Sequence, residues 1–583
     1  MAKKPKPTHH LLRWSDYVPA TDVQDPLGLN LRGLTRLGER LLHCITSITP
    51  RARYFSFIPW CVFDYQNREK GKPHALGLRA AIVIRENALT LACVTHHEGD
   101  TCRGGALVGS NEAKRWLGKG NTEADLKKLK FAKNPALNAY FTSLVNLGCF
   151  VTENEGAVAD DAGEEVQFTF DDVELSPLGL DLATRYDSVA GCLPVMRQLA
   201  EGHRHLSVES LAELGKQGGL CELTEADPAD RMLLRELFFD MAGVKGDSHP
   251  VRRQSLLLIL ELCRQFSAEE WVLNEPDFAG AVYFGELVTE DARLSVAFSP
   301  AFVDIATRWR MFYFHHYMGV ALEGLFSWLI AQLGTCGLAG VTLEELVLRL
   351  GDSSLRKSLS ELLKCDFKKP FGEMTPCDLF AELGLPHGDL NAKFGTAFDL
   401  AVQSTHPVAE DSLETLVRNN EFLQSSTGLA LPMILLATTL MRYSRWEATN
   451  YGKWLATAAK DPYLDLVPPV VASGLNRRFG QWWKCKWSDL AGFVLSRYVV
   501  RQHQSMSYEK SWAGDRCLLQ VDGSKVFSTG GYEKIGMGNP RLGSAIQILN
   551  DLGLIEEAED GVTHLTKDGT QFLQHELKKE SKQ

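Results

Sequence analysis

Metal binding, proton transfer and phosphate recognition each need particular side chains at particular spacings, and three stretches of this chain supply candidates. The first is Cys93-Val94-Thr95-His96-His97-Glu98-Gly99-Asp100-Thr101-Cys102. Cys93, His96 and Cys102 are ligand types that zinc accepts, but a closed tetrahedral site takes four, and no second C-x-x-C or H-x-x-H follows to complete it. The expectation is therefore a polar loop after a helix, with no metal and no cofactor. The second is His316 with Glu323, seven apart and so on one helix face, where general acid–base chemistry could use them. Two polar groups satisfying one another inside a core account for the same spacing. The third is cationic. From Ser473 to Asn550, eleven basic residues stand against five acidic ones. Within that stretch, Arg477-Arg478-Phe479-Gly480-Gln481-Trp482-Trp483-Lys484-Cys485-Lys486-Trp487 interleaves cations with aromatics, as a phosphate-tracking surface does. Core tryptophans with a solvated basic rim fit the same residues. The expected nucleic-acid contacts are Arg477, Arg478, Lys484, Lys486, Lys510, Lys525, Lys534 and Arg541.

Motifs that would name a reaction are missing. G-x-x-x-x-G-K-[ST], G-x-S-x-G, H-E-x-x-H and the deaminase H-x-E with P-C-x-x-C are absent from the sequence. Catalytic residues are left unassigned. A metal-dependent nuclease built on His96, His97 or His316 with distant carboxylates stays open as an alternative.

The elements that would carry these residues are most legible at the C-terminus. Leu542, Ala545, Ile546, Leu549 and Leu552 recur at helical spacing after Asn539-Pro540, a capping residue and a helix-opening proline. Gly553 stops the helix, Leu554 to Ala558 and Val562 to Thr566 form a hairpin around Glu559-Asp560-Gly561, and a further helix follows. The chain carries this pattern twice. Leu144-Val145-Asn146-Leu147-Gly148-Cys149-Phe150 matches Leu549 to Ile555, and Leu175-Ser176-Pro177-Leu178-Gly179 matches Leu565 to Gly569, with an acidic insert from Glu153 to Glu165 in the earlier copy. Leu-x-x-Leu-Gly-Leu-Ile followed by Leu-Thr-x-x-Gly resembles the tail of bacterial winged-helix domains.

Elsewhere, Thr49 to Tyr65 places six aromatics behind Arg51 and Arg53, which predicts an aromatic helix or strand in the N-terminal core, or else a base-stacking platform. Helical spacing runs through 79–95, 211–239, 254–266 and 341–363. Thr342-Leu343-Glu344-Glu345 has the form of a capping box, and Met311 to Ile330 reads as a core helix. The expected fold class is mainly α with small β-hairpins. The expected domains are a disordered basic tail over 1–10, a helical domain over 11–190 ending in a winged-helix-like unit, a helical middle over 191–460, and a basic winged-helix domain over 461–583.

The 583 residues are 45% hydrophobic and 23% charged, and the net charge of −11 argues against a chain coated uniformly for DNA or acidic membranes. Thirteen cysteines without a C-x-x-C pair read as reduced thiols and a cytoplasmic setting. No stretch reads as a membrane span. The combination of Asp25-Pro26-Leu27-Gly28, Thr49-Pro50-Arg51-x-Arg53-Tyr54-x-Ser56-Phe57-x-x-Trp60 and a unit ending in Leu-Ser-x-x-Gly resembles uncharacterised bacterial proteins encoded in anti-phage defence and mobile-element clusters. The resemblance covers about the first third and the last quarter of the chain. It implies a setting and no activity. The expected function is a non-enzymatic, DNA-binding subunit of a multi-protein bacterial system, with a docking scaffold for a partner ATPase or helicase as the alternative. Acid-rich wings, with Glu556, Glu557, Glu559 and Asp560 in one and Glu153, Glu155, Asp160, Asp161, Glu164 and Glu165 in the other, would repel phosphates, so contact is expected beside the wing.

Overall fold

The computed structural model describes residues 25–98, 107–151, 173–221, 223, 229–240, 249–269, 271–288, 292–336, 340–390, 392–447, 467–510, 517–532, 535–536, 538–558 and 561–580. The chain is mainly helical with small antiparallel sheets. It divides into two compact units, Met1–Leu34 with Phe314–Gly538 and Thr35–Tyr313 with Asn539–Gln583. Each unit is assembled from two separated stretches. Pro468 and Pro469 lie in the first turn of the helix Val467–Phe479, where a missing N–H is harmless. Asp461, Pro462 and the basic tail over 1–10 lie outside the described residues.

In the unit of Thr35–Tyr313 and Asn539–Gln583, the aromatic stretch is the helix Tyr54–Asp64. Tyr54, Phe55, Phe57 and Trp60 are at most 1% exposed. Tyr54 and Phe55 meet the Tyr140 ring at 4.9 and 5.1 Å, while Phe57 and Trp60 meet Tyr186 at 5.7 and 5.4 Å. Buried rings of this kind cannot stack on bases, so the stretch is core. Arg51 and Arg53 are buried with it. Arg53 pairs with Asp230 at 3.2 Å and donates to the carbonyls of Gln217 and Gly219, and Arg51 pairs with Asp551 at 2.9 Å.

The two helix–hairpin–helix segments match in detail. The earlier runs Ala136–Asn146, Phe150–Val151, Glu174–Leu175 and Pro177–Tyr186; the later runs Leu542–Asp551, Ile555–Glu557, Thr563–Leu565 and Lys567–Glu580. Gly148 and Gly553 end the first helices at φ 74° and 68°, where a side chain would be strained. The Ser176 hydroxyl donates to Gly148 O at 2.5 Å and accepts from Gly179 N–H at 3.0 Å. Thr566 does the same with Gly553 O at 2.8 Å and Gly569 N–H at 2.9 Å. The N–H groups of Ser176 and Thr566 close on Cys149 O and Leu554 O, both at 3.1 Å. At the later start, Asn539 Oδ1 accepts from Arg541 N–H at 2.7 Å, and the helix begins at Leu542, two residues after the proline.

In the unit of Met1–Leu34 and Phe314–Gly538, the Asp25-Pro26-Leu27-Gly28-Leu29-Asn30 segment is a pinned strap. Lys510 donates to Asp25 O, His503 Nδ1 to Pro26 O, Gln502 to Leu27 O and His315 Nε2 to Leu29 O, all at 2.9–3.0 Å. Asn30 Nδ2 donates to the buried Glu323 carboxylate at 2.9 Å. Irregular backbone can be buried only when its carbonyls are matched in this way. Farther along, Thr342 and Glu345 form the expected capping box, opening the helix Leu343–Val347, which tightens into Leu348–Gly351 and is followed by Ser353–Leu363. Val341–Thr342 pairs with Lys525–Ser528, and that strand pairs with Leu519–Asp522. The helix Pro300–Cys336, which contributes residues to both units, contains the expected core helix and is mostly buried.

Two outcomes follow. An alanine Cβ at Gly179 or Gly569 would meet the carbonyl oxygen of Cys149 or Leu554. Helix propensity favours alanine by about 1 kcal/mol, but this overlap outweighs it. Gly179→Ala and Gly569→Ala each lower stability by about 1–3 kcal/mol in urea titrations. Equal or higher midpoints would show that the segments yield at no cost. The second outcome concerns His315. Its Nε2–H donates to Leu29 O and its Nδ1 faces Val467 N–H at 3.5 Å, so a proton on Nδ1 has no acceptor. Burial lowers its pKa from 6.5 to about 4. A depressed histidine contributes stability above pH 6.5 that is lost as pH falls through 4, on the order of 3 kcal/mol. Glu323, raised by burial to about 7, contributes with the opposite sign. The gap in melting temperature between wild type and His315→Gln therefore narrows from pH 7 to pH 4; a constant gap would show that His315 does not titrate in this range.

Candidate nucleic-acid interface

The helix Val467–Phe479 carries Arg477 and Arg478 in its last turn, where the helix dipole favours cations, and both are exposed. Phe479 meets Phe493 edge-on at 5.5 Å, and Phe493 meets Tyr498 at 5.9 Å. These rings join the helix to Trp487–Val494 and its continuation Leu495–Val500. Tyr498 lies across Gly474, where any Cβ would collide with its hydroxyl, and donates to Val470 O at 3.4 Å. Burial raises the Tyr498 phenol above its ordinary pKa, against the pull of Arg497 and Arg477 beside it. Two exposed arginines from separate helices, Arg477 and Arg497, thus act on one tyrosine; Arg478, beside Arg477 in sequence, and Arg501, four residues after Arg497, are exposed as well. Arg497 belongs to the basic excess between Ser473 and Asn550 and carries no local sign of this placement. Only the ring contacts across two helices bring Arg497 to Arg477.

Lys484 and Lys486 are also exposed, while Trp482, Trp483 and Trp487 are buried. The interleaved stretch is thus a tryptophan core with a basic rim. Lys484 lies 3.6 Å from Asp389, but both side chains are more than half exposed, and such a pair is worth little. The remaining expected contacts divide. Lys525 is exposed and sits near Glu345, whose carboxyl is held low chiefly by its Thr342 hydrogen bonds. Lys510 is half-buried and donates to Asp25 O. Lys534 lies outside the described residues.

Arg541 requires a correction. Expected among the nucleic-acid contacts, it is 9% exposed, donates to Ile45 O at 3.1 Å and pairs with Glu39 at 3.2 Å. Its backbone sits at φ 61° and turns the side chain inward. The hairpin that follows Arg541's helix exposes Glu556 and Glu557, as expected; Glu559, Asp560 and the insert from 153 to 165 are outside the described residues.

Among the described residues, the other candidate side chains are engaged as follows. His316 Nε2 contacts Glu414 at 3.0 Å, and Glu414 also accepts from Arg418 at 2.7 Å. Glu323 accepts from Asn30 and from Gly536 N–H, so the two residues expected to share a face have separate partners. Burial raises the Glu414 carboxyl, but bonds from His316 and Arg418 outweigh it and hold the pKa at about 2. Cys93 is buried, His97 Nε2 lies 2.9 Å from Cys221 Sγ, and Cys102 is outside the described residues. Among the described residues, no group of three metal-capable side chains converges.

No protein-family model matches the chain, and neither does any curated protein or solved structure.

Replacing Arg541 tests its inward role. Arg541→Ala removes hydrogen bonds from a charged group and lowers stability by about 1–3 kcal/mol, while leaving nucleic-acid affinity unchanged in fluorescence anisotropy. A loss of affinity in folded protein would return Arg541 to the interface.

Proposed function

We propose that this chain is a non-enzymatic, nucleic-acid-binding subunit of a multi-protein bacterial system, in the setting of anti-phage defence that its motifs resemble. The observation that supports it best is the pair of exposed guanidiniums, Arg477 and Arg497, that two helices bring to Tyr498, with Arg478 and Arg501 exposed close to them in sequence, in a chain of net charge −11. Solvated guanidiniums on neighbouring helices can each neutralise a phosphate and release its counterion, and affinity then falls steeply with salt. In this reading the two helix–hairpin–helix segments are winged-helix units kept as framework. The exposed Glu556 and Glu557 favour a second role for the later one, docking a basic surface of a partner subunit such as an ATPase or helicase.

Charge reversal of the four arginines to glutamate should lower DNA affinity by at least about 100-fold and flatten the log–log salt slope by about 3–4. Anisotropy of a labelled oligonucleotide across a salt series measures both. Unchanged affinity and slope would leave protein docking as the better account.

A further inference from the structure

The three-stranded sheet and the helices beside it have an order that the sequence conceals. In chain order the elements are the end of the helix Pro300–Cys336, the strand Val341–Thr342, the helix Leu343–Gly351, a one-residue turn at Asp352, the helix Ser353–Leu363 and, after residues 364–518, the hairpin Leu519–Asp522 and Lys525–Ser528. In space the first strand lies against the last and not the middle one: Val341 pairs with Val526 and Thr342 with Lys525, while Lys525–Ser528 also holds Leu519–Asp522. Helix, strand, helix, turn, helix and hairpin, with the first strand against the hairpin's returning strand, is a winged-helix topology interrupted by a long insertion. Gly340, at φ 61°, lets the chain enter beneath the Phe527 ring, whose nearest carbon would lie 2.5 Å from a Cβ there.

We infer that this interrupted winged helix is a duplex-DNA-binding element, with Ser353–Leu363 as the helix that enters the groove and the hairpin as its wing. Leu355, Leu359 and Leu363 face inward, which leaves Ser353, Ser354, Arg356, Lys357 and Lys364 outward. The first turn of this helix carries no acid. In helix-turn-helix proteins, the N-terminal residues of the second helix reach the bases while neighbouring cations take the phosphates. Glu361 lies 4.0 Å from Lys357, but both are largely exposed and the pair yields readily to a phosphate. The hairpin tip, Asp522-Gly523-Ser524-Lys525, is exposed, small and polar with a lysine. With Asp522 balanced by Lys525, it lacks the excess acid of the strand carrying Glu556 and Glu557, which a phosphate would repel.

The inference rests on the nucleic-acid reading of the preceding section, and its test separates the two. Labelled duplex DNA of about two helical turns and one of its single strands are titrated with wild type, Arg356→Glu/Lys357→Glu, Lys525→Ala and the four-arginine reversal. The inference expects the helix double variant to weaken duplex binding at least about tenfold with a salt slope smaller by about 2. Lys525→Ala should weaken it by a smaller factor, and single-strand affinity should stay at the wild-type value, which also shows that the variants fold. Unchanged duplex affinity in both variants overturns the inference, and an equal loss on both probes overturns it too. If the four-arginine reversal still abolishes binding in either case, the broader reading survives. A wild type that binds neither probe overturns both.

Discussion

Buried guanidinium groups set the terms on which the unit of Thr35–Tyr313 and Asn539–Gln583 can fold. An ionised side chain taken out of water has to be met by an opposite charge and by acceptors for its remaining N–H groups, or the desolvation penalty of several kcal/mol goes uncompensated. Arg51 illustrates the consequence. Its side chain bonds Asp551 at the end of the later repeat's first helix, and its backbone N–H donates to Tyr140 Oη in the earlier repeat's first helix. One residue therefore joins both repeats, and neither partner can move alone. Arg53 similarly ties the start of the aromatic helix to Asp230 and the Gln217–Gly219 backbone. Arg85 binds Asp64 and Glu69 at that helix's far end. The aromatic rings provide apolar burial without direction; the ion pairs choose one arrangement of it.

The unit of Met1–Leu34 and Phe314–Gly538 buries Arg442 against Glu410 and Asp399 in the same way, but pins its strap mainly with neutral groups. His315 and His503 each donate to a strap carbonyl through one ring nitrogen, and each turns the other nitrogen towards a backbone N–H, Val467 for the first and Leu518 for the second. That pattern needs the uncharged ring, and burial lowers both pKa values accordingly. The Asp-Pro-Leu-Gly motif is thereby explained as structure. Its carbonyls are anchors for side chains scattered between 315 and 510, and no ligand is required to account for it.

Local patterns were legible in the sequence to the extent that their causes were local. The capping box at Thr342, the core helix through Met311–Ile330, the aromatic core after Arg51 and both helix–hairpin–helix segments depend on spacing within a few turns of chain, and each stands where the residues indicate. The repeat could even be aligned residue for residue, because Gly179 and Gly569 answer to the same carbonyl contact. What could not be read were pairings between distant stretches. The strand Glu123–Asp125 has no local signal, because its partner His205–Ser207 is some eighty residues away. Arg541 carried no local sign that Glu39 and Ile45 O were waiting for it. The strand Val341–Thr342 is two residues long, too short for alternation to announce it, and its partner hairpin follows the insertion.

Charge follows the same division between local and distant causes. A net charge of −11 sets a weak long-range field, but within a Debye length of about 8–10 Å the nearest side chains dominate. What decides whether a phosphate is welcome is which cations are solvated together. Counting eleven basic residues between Ser473 and Asn550 could not separate Arg477, which shares Tyr498 with Arg497, from Arg541, which is spent on a buried carbonyl. The identical residue type does opposite work because one sits at an exposed helix end and the other on a left-handed turn facing inward. An acidic chain can hold a basic face when folding withdraws some cations into its core and leaves others side by side at the surface.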